Sequence, residues 1–166
     1  MELTDLTRAM ITYDAGDPMR IQHFLKVHAF ARMIGTAEHL PAETETILEA
    51  AALVHDIGIH RAEEVYGSSS GKYQEELGPA EARTLLASLN APADLTERVA
   101  YLVGHHHTYT NIDGMDYQIL VEADFLVNLY EDNIPPSAQK HAYETIFRTE
   151  TGKQLCRTLY PAVCEA

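Results

Sequence analysis

The stretch Ala51-Ala52-Leu53-Val54-His55-Asp56-Ile57-Gly58 ends a run of small and apolar residues on an imidazole, a carboxylate and a glycine. Ala and Leu are strong helix formers and no alternating strand pattern accompanies them. The run therefore predicts a helix that begins after Pro41, turns Ile47, Ala51 and Val54 inward, and stops at Gly58. An adjacent His-Asp pair occurs by chance in many proteins, so this one gains meaning only from what accompanies it.

Working outward toward the N-terminus, a short helix over residues 3–13 stops near Gly16. Asp17-Pro18 then supplies an N-cap followed by proline at the first helical position. The helix it opens runs to about residues 35–40, with Met19, Val27, Phe30 and Ile34 as its apolar stripe. His23 falls in register with that stripe and points inward. Toward the C-terminus, residues 60–77 read as a long polar connection containing Ser68-Ser69-Ser70-Gly71-Lys72. Such a loop is either a solvated link or a functional one, and Lys72 within it can reach a substrate phosphate. Pro79 starts a helix to Leu89, and Asn90-Ala91-Pro92 breaks it. Asp94 with Glu97 reads as a capping box for the next helix, whose Leu95, Val99 and Leu102 lead to His105-His106-His107. A helix from about Asp116 to Glu131 follows the Thr108–Gly114 loop, and one or two final helices occupy roughly 137–160. The expected fold class is all-α: a helical bundle in one domain over 1–166, with C-terminal helices over 136–160.

Composition narrows the function. A chain of 166 residues with 46% hydrophobic and 22% charged content can bury a core without staples. The formal net charge of −13 and the lack of any Lys/Arg cluster disfavour duplex nucleic acid, yet a small anion can still bind where a metal ion supplies local positive charge. No apolar run is long enough to span a bilayer and the N-terminus is not a secretory signal, so a soluble, cytoplasmic protein with no membrane partner is expected. Cys156 and Cys164 form no CxxC pair and read as free thiols on or after the last helix.

Against this background three positions break apolar helical patterns: His23, the His55-Asp56 pair, and Asp124 between Ile119-Leu120-Val121 and Phe125-Leu126-Val127. Singly each has a plain explanation, since an inward His is usually a core residue and Asp124 can cap a helix or pair with an Arg. Together, on separate helices, they suit a bundle-core metal site. Two imidazoles and two carboxylates favour a divalent ion such as Mn, Fe, Co, Ni, Mg or Zn over a thiolate-selecting metal.

These same segments resemble the HD superfamily of metal-dependent phosphohydrolases. RIQHFLKVHAFARMIG (20–35) is similar to its first motif, with His23, Val27 and Ala31 at the matching positions; His28 is a rival that fits less well. AALVHDIG (51–58) is similar to the namesake motif, and ILVEADFLVN (119–128) to the last, whose Asp is Asp124. The likeness spans about residues 18–130. It implies a helical HD-type domain in which His23, His55, Asp56 and Asp124 hold a metal and Asp56 also positions water. LVGHHHTYTNIDGMDY (102–117) resembles the later His-containing region, also that of HD-GYP proteins. His105 and His106 are then a catalytic pair that holds a second metal or substrate phosphate, with His107 exposed; the alternative is a helix-ending His run favoured by the dipole.

Two departures matter. Gln74 stands where dinuclear members carry a His, and Ile59-His60 where HD-GYP proteins have a Lys, so one tight metal is expected and a second only weakly, with Glu75 or Glu76 a partial substitute. The implied reaction is hydrolysis of a phosphate ester or anhydride in a small phosphorylated substrate. Nucleoside mono- and triphosphates, alarmone-type and cyclic nucleotides and sugar phosphates all qualify, and Tyr66, Tyr73, Tyr101, Tyr109 and Tyr117 offer rings for stacking on a base. Two alternatives are a diiron HD-fold oxygenase and a non-catalytic nucleotide-binding module. The C-terminal helices are a candidate surface for a homo-oligomer.

Overall fold

The computed structural model describes residues 1–164, and among them every regular element is helical. The elements are α1 (Leu3–Tyr13), α2 (Pro18–Ala37), α3 (Ala42–Val54), α4 (Gly58–Tyr66), α5 (Gly71–Ser88), α6 (Ala93–Val103), α7 (Met115–Glu131), α8 (Pro136–Thr145), α9 (Glu150–Leu159) and a closing 3-10 turn (Pro161–Cys164). Two helices form the centre. Along α3 every residue from Leu48 to Val54 is buried, and α7 buries residues on all its faces from Asp116 to Asp124. A helix apolar all round must be enclosed by others. Accordingly α2 packs on both α3 and α7, α6 packs on α3, and α9 leans on α7. Leu48, Leu53, Ile119 and Leu120 are wholly removed from solvent, each contributing about 1.5–3 kcal/mol of hydrophobic stabilisation.

The ends of α2 follow the sequence. Asp17 accepts a hydrogen bond from the Arg20 backbone N–H (3.1 Å), with Pro18 opening the first turn. Within the helix, His23, Phe24, Val27, Ala31 and Ile34 are buried, whereas Met19 is 74% exposed. Met19 lies only one residue into the helix, before the neighbouring helices begin to cover it, so it does not belong to the inward stripe. Asn90, at φ 53°, takes the left-handed conformation that ends α5 as expected.

The largest correction concerns residues 60–77, expected as a loop. They are mostly α4 and the first two turns of α5, with only Gly67–Ser70 between. Gly58 opens α4 rather than closing α3, because α4 and α5 cross at that point. A Cβ at Gly58 would lie 2.8 Å from the Gln74 carbonyl oxygen and 2.9 Å from the Gly78 backbone. Glycine is therefore used here for close approach, not as a stop signal. Pro79 likewise sits inside α5, packed against Gly104, instead of starting the helix. The Asp94–Glu97 capping box does not form: Pro92 precedes α6, and Glu97 instead accepts a forked pair of hydrogen bonds from Arg83. Cys156 is buried and Cys164 exposed, and both are free. Among the described residues no helix is long and apolar enough to cross a membrane.

Candidate metal centre

Four side chains converge where α2, α7 and the α3–α4 junction meet. His23 Nε2 lies 3.2 Å from His55 Nε2, 3.4 Å from Asp56 Oδ2 and 3.2 Å from Asp124 Oδ1. His55 Nε2 lies 3.4 Å from Asp56 Oδ2 and 3.6 Å from Asp124 Oδ1. Metal–ligand bonds of about 2.0–2.2 Å place neighbouring ligand atoms roughly 3.0–3.5 Å apart, so most of these separations suit ligands that share one ion. His55 and Asp124 are almost wholly buried, and His23 nearly so.

The outer nitrogens decide what the inner ones can do. His55 Nδ1 donates to the Ala52 carbonyl at 2.9 Å, and His106 Nδ1 to the Val103 carbonyl at 2.9 Å. His23 Nδ1 faces Glu131 Oε2 at 2.7 Å, a carboxylate that also pairs with Lys26. Carbonyls and carboxylates only accept, so each Nδ1 carries a proton, and a ring in its neutral form would turn the lone pair of Nε2 inward. Those lone pairs would meet the carboxylates Asp56 and Asp124, a repulsive arrangement that a metal ion or a ring proton resolves. His106 Nε2 is wholly buried with no hydrogen-bond partner among the described residues, 3.3 Å from Asp56 Oδ1. This donor set fits a hard or borderline divalent ion.

Without an ion, protons take its part. Burial alone would push the His23 imidazole down, but its hydrogen bond to Asp124 and the charges of Asp56 and Asp124 outweigh that and raise it to about 9. The same balance raises His106, where burial is outweighed by Asp56. Burial opposes ionisation of Asp124 too, yet the hydrogen bonds and charge of His23 and His55 hold it well below the usual carboxylate range.

Asp56 faces two ways. Its Oδ2 joins His23 and His55, while Oδ1 turns to His106, and Asp56, His106 and His107 form a second group of potential ligands. His105 does not join them: its Nδ1 donates to the Tyr101 carbonyl (2.7 Å) and its ring stacks on Tyr101. The expected pairing of His105 with His106 is thus replaced by His106 with His107. Consecutive residues leave a helix end about 100° apart, and α6 ends at Val103 so that His105 remains one turn above Tyr101 while the next two turn inward. His107 Nε2 lies 3.2 Å from Gln74 Oε1, and burial together with the positive His106 lowers its ring to about 4, leaving it neutral. His28 pairs with Glu49 (2.8 Å) and His60 with Asp14 (3.0 Å), away from the quartet.

A cavity of about 310 Å³ opens over His23 and Asp56, walled by Arg20, Ser69, Asn128 and Glu131. Lys72 stands exposed on the first turn of α5 and is not part of this wall. The sequence reading missed three supports. Asn128 donates to Asp124 Oδ1 at 2.8 Å, Glu131 orients His23, and Lys26 holds Glu131. Asn128 and Glu131 follow Asp124 at spacings of four and seven, one face of α7, which is the signal that would have found them.

A crystal structure of a predicted HD superfamily hydrolase from an uncultured Thermotogales bacterium is similar over 98% of this chain and 87% of its own, at 25% identity and a TM-score of 0.68. No curated protein matches the sequence. The family model described as HD domain matches residues 20–142, which takes in His23, His55, Asp56, His106 and Asp124. With three quarters of its length under that match and the namesake His-Asp pair at the centre of the converging side chains, the chain belongs to the HD-domain family.

Proposed function

We propose that this protein is a metal-dependent phosphohydrolase, cleaving a phosphate ester or anhydride in a small phosphorylated metabolite. The observation that carries this is the inward convergence of imidazole lone pairs on two carboxylates, each outer nitrogen being already committed. His23, His55, Asp56 and Asp124 would hold the ion, which supplies Lewis-acid polarisation of a phosphoryl oxygen and acidifies water. Glu131 and the Ala52 carbonyl fix the tautomers of His23 and His55. Asp56, half in the quartet and half toward His106, is placed to orient the attacking water and accept its proton. His106 and the neutral His107 have ring nitrogens within 4.8 Å of an Asp56 oxygen and would hold a second ion or the transferred phosphoryl group.

Metal analysis of the purified protein and of Asp56→Ala tests the reading. Stoichiometric divalent metal in the wild type, its loss in the variant, and metal-dependent release of phosphate from a panel of phosphorylated metabolites are expected. Absence of bound metal after loading with each candidate ion would sink it. The second group, Asp56, His106 and His107, keeps one rival in view. Iron near two per chain with no phosphatase activity would favour an oxygenase instead.

A further inference from the structure

A second cavity, of about 540 Å³, lies between α7, α8 and the loop after His107. Asn128 and Asp132 line both it and the cavity over the quartet, and His107 lines its inner end, so the two spaces adjoin. Its walls are more apolar than the metal centre: Tyr109, Phe125, Leu129, Ile134 and Ile146 line it, with His141 and Thr145 among them. Tyr109 and Phe125 meet edge to face at 5.2 Å, an aromatic corner open to a third ring. A concave, largely apolar space of this size beside converging polar groups is the form of a small-molecule site.

The surrounding charge is equally selective. Arg20, the cation in the wall of the first cavity, is bound by Asp17 and Glu63 and donates to His60. Lys26 is taken by Glu131. Glu131 and Asp132 face the shared mouth, so a chain of several phosphates would meet carboxylates beyond the metal.

We propose that this second cavity is the leaving-group subsite and that it selects phosphomonoesters of an aromatic or apolar, uncharged alcohol over polyphosphates and small polar phosphates. The inference rests on the phosphohydrolase reading and names its substrate class. In the reaction the oxygen of water bonds to phosphorus as the bond from phosphorus to the alcohol oxygen breaks. The alcohol leaves with a proton, and inorganic phosphate remains. The phosphoryl group would lie over the quartet, while the alcohol packs against Tyr109 and Phe125 and buries apolar area that a sugar could not.

Titration of the metal-loaded protein with phenylphosphonate, methylphosphonate and inorganic diphosphate, followed by calorimetry, tests this without requiring turnover. Phenylphosphonate is expected to bind at least about tenfold more tightly than either of the others. Ala138→Trp, an exposed-side change that fills the cavity, should erase that margin while leaving bound metal intact; Tyr109→Ala should narrow it. Equal affinities, a preference for diphosphate, or a phenyl margin that survives Ala138→Trp would overturn the subsite. Hydrolysis of 4-nitrophenyl phosphate and glycerol phosphate separates the two claims. A phenyl preference without any hydrolysis refutes the phosphohydrolase reading alone, whereas hydrolysis without a phenyl preference refutes the subsite alone.

Discussion

Two of the three buried carboxylates of helix α7, Glu122 and Asp124, stand two residues apart in opposite surroundings. Glu122 is 0% exposed and faces the C-terminal segment, where its Oε1 accepts from Gln118 Nε2 (2.7 Å) and from the backbone N–H groups of Arg148 (2.6 Å) and Thr149 (2.9 Å). Its Oε2 accepts from the Thr149 hydroxyl at 2.5 Å, and that hydroxyl in turn caps α9 through Gly152 N–H. Asp124, turned about 200° round the helix, meets His23 and His55, with a second carboxylate, Asp56, opposite the same imidazoles. Two backbone N–H groups and two side-chain donors satisfy Glu122, so its charge serves structure. Asp124 is surrounded by groups that can exchange a proton for a metal, so its charge is available to a ligand. A buried carboxylate by itself therefore says nothing about role; what matters is whether its partners are committed.

The widest gap between the two should appear on removing each charge. Asp124→Asn is expected to lower metal affinity by at least about a hundredfold while the helical fold is retained, read as bound metal after dialysis beside circular dichroism. Glu122→Gln should do the reverse, costing about 2–4 kcal/mol in denaturant unfolding because an amide N–H now faces backbone donors, with metal content unchanged. If Glu122→Gln loses the metal, the division of roles is wrong.

Between those extremes, Gly152→Ala presses on Glu122 from the α9 side, since a Cβ there would overlap Oε2. A loss of about 1–3 kcal/mol with normal metal content is expected, measured by the same unfolding curves. On the other side, Glu131→Gln removes the charge that orients His23, and a 10–100-fold weaker metal affinity is expected from competition with a chelator. Unchanged affinity would mean that His23 needs no support.

The smallest effect is one of pH. The folded, metal-free protein holds the His23 proton up to about 9 against 6.5 for a free imidazole. Its stabilisation is therefore fully present below about pH 6.5 and is lost as pH rises toward 9, amounting to about 1–3 kcal/mol. A metal ion competes with that proton and reverses the trend. The thermal midpoint of the metal-free protein should fall by a few degrees across this window, while that of the loaded protein should not. Parallel curves with and without metal would place the ion elsewhere.

Much of this was legible before the fold was known. His23, His55, Asp56 and Asp124 each interrupt an apolar helical pattern, and the structure sets both carboxylates within 3.6 Å of both imidazoles. Glu122 interrupts the same pattern as Asp124 and was passed over, because its four donors come from Gln118, Arg148 and Thr149 and no periodicity links the last two to α7. In the triplet His105-His106-His107 the expected pair was His105 with His106, whereas His106 and His107 are the two grouped with Asp56.

What the sequence determined alone is the helical class, the apolar surroundings of the four converging residues, and the chain's net negative charge. These follow from short-range causes: helix propensity, the 3.6-residue period, and the cost of burying a charge among apolar neighbours. Only the tertiary structure decided that Gly58 and Gly78 make a helix crossing rather than a break, that His107 replaces His105, and that Glu122 and Asp124 part company. Each of those depends on which backbone or side chain arrives from tens of residues away, and a local pattern carries no record of that partner.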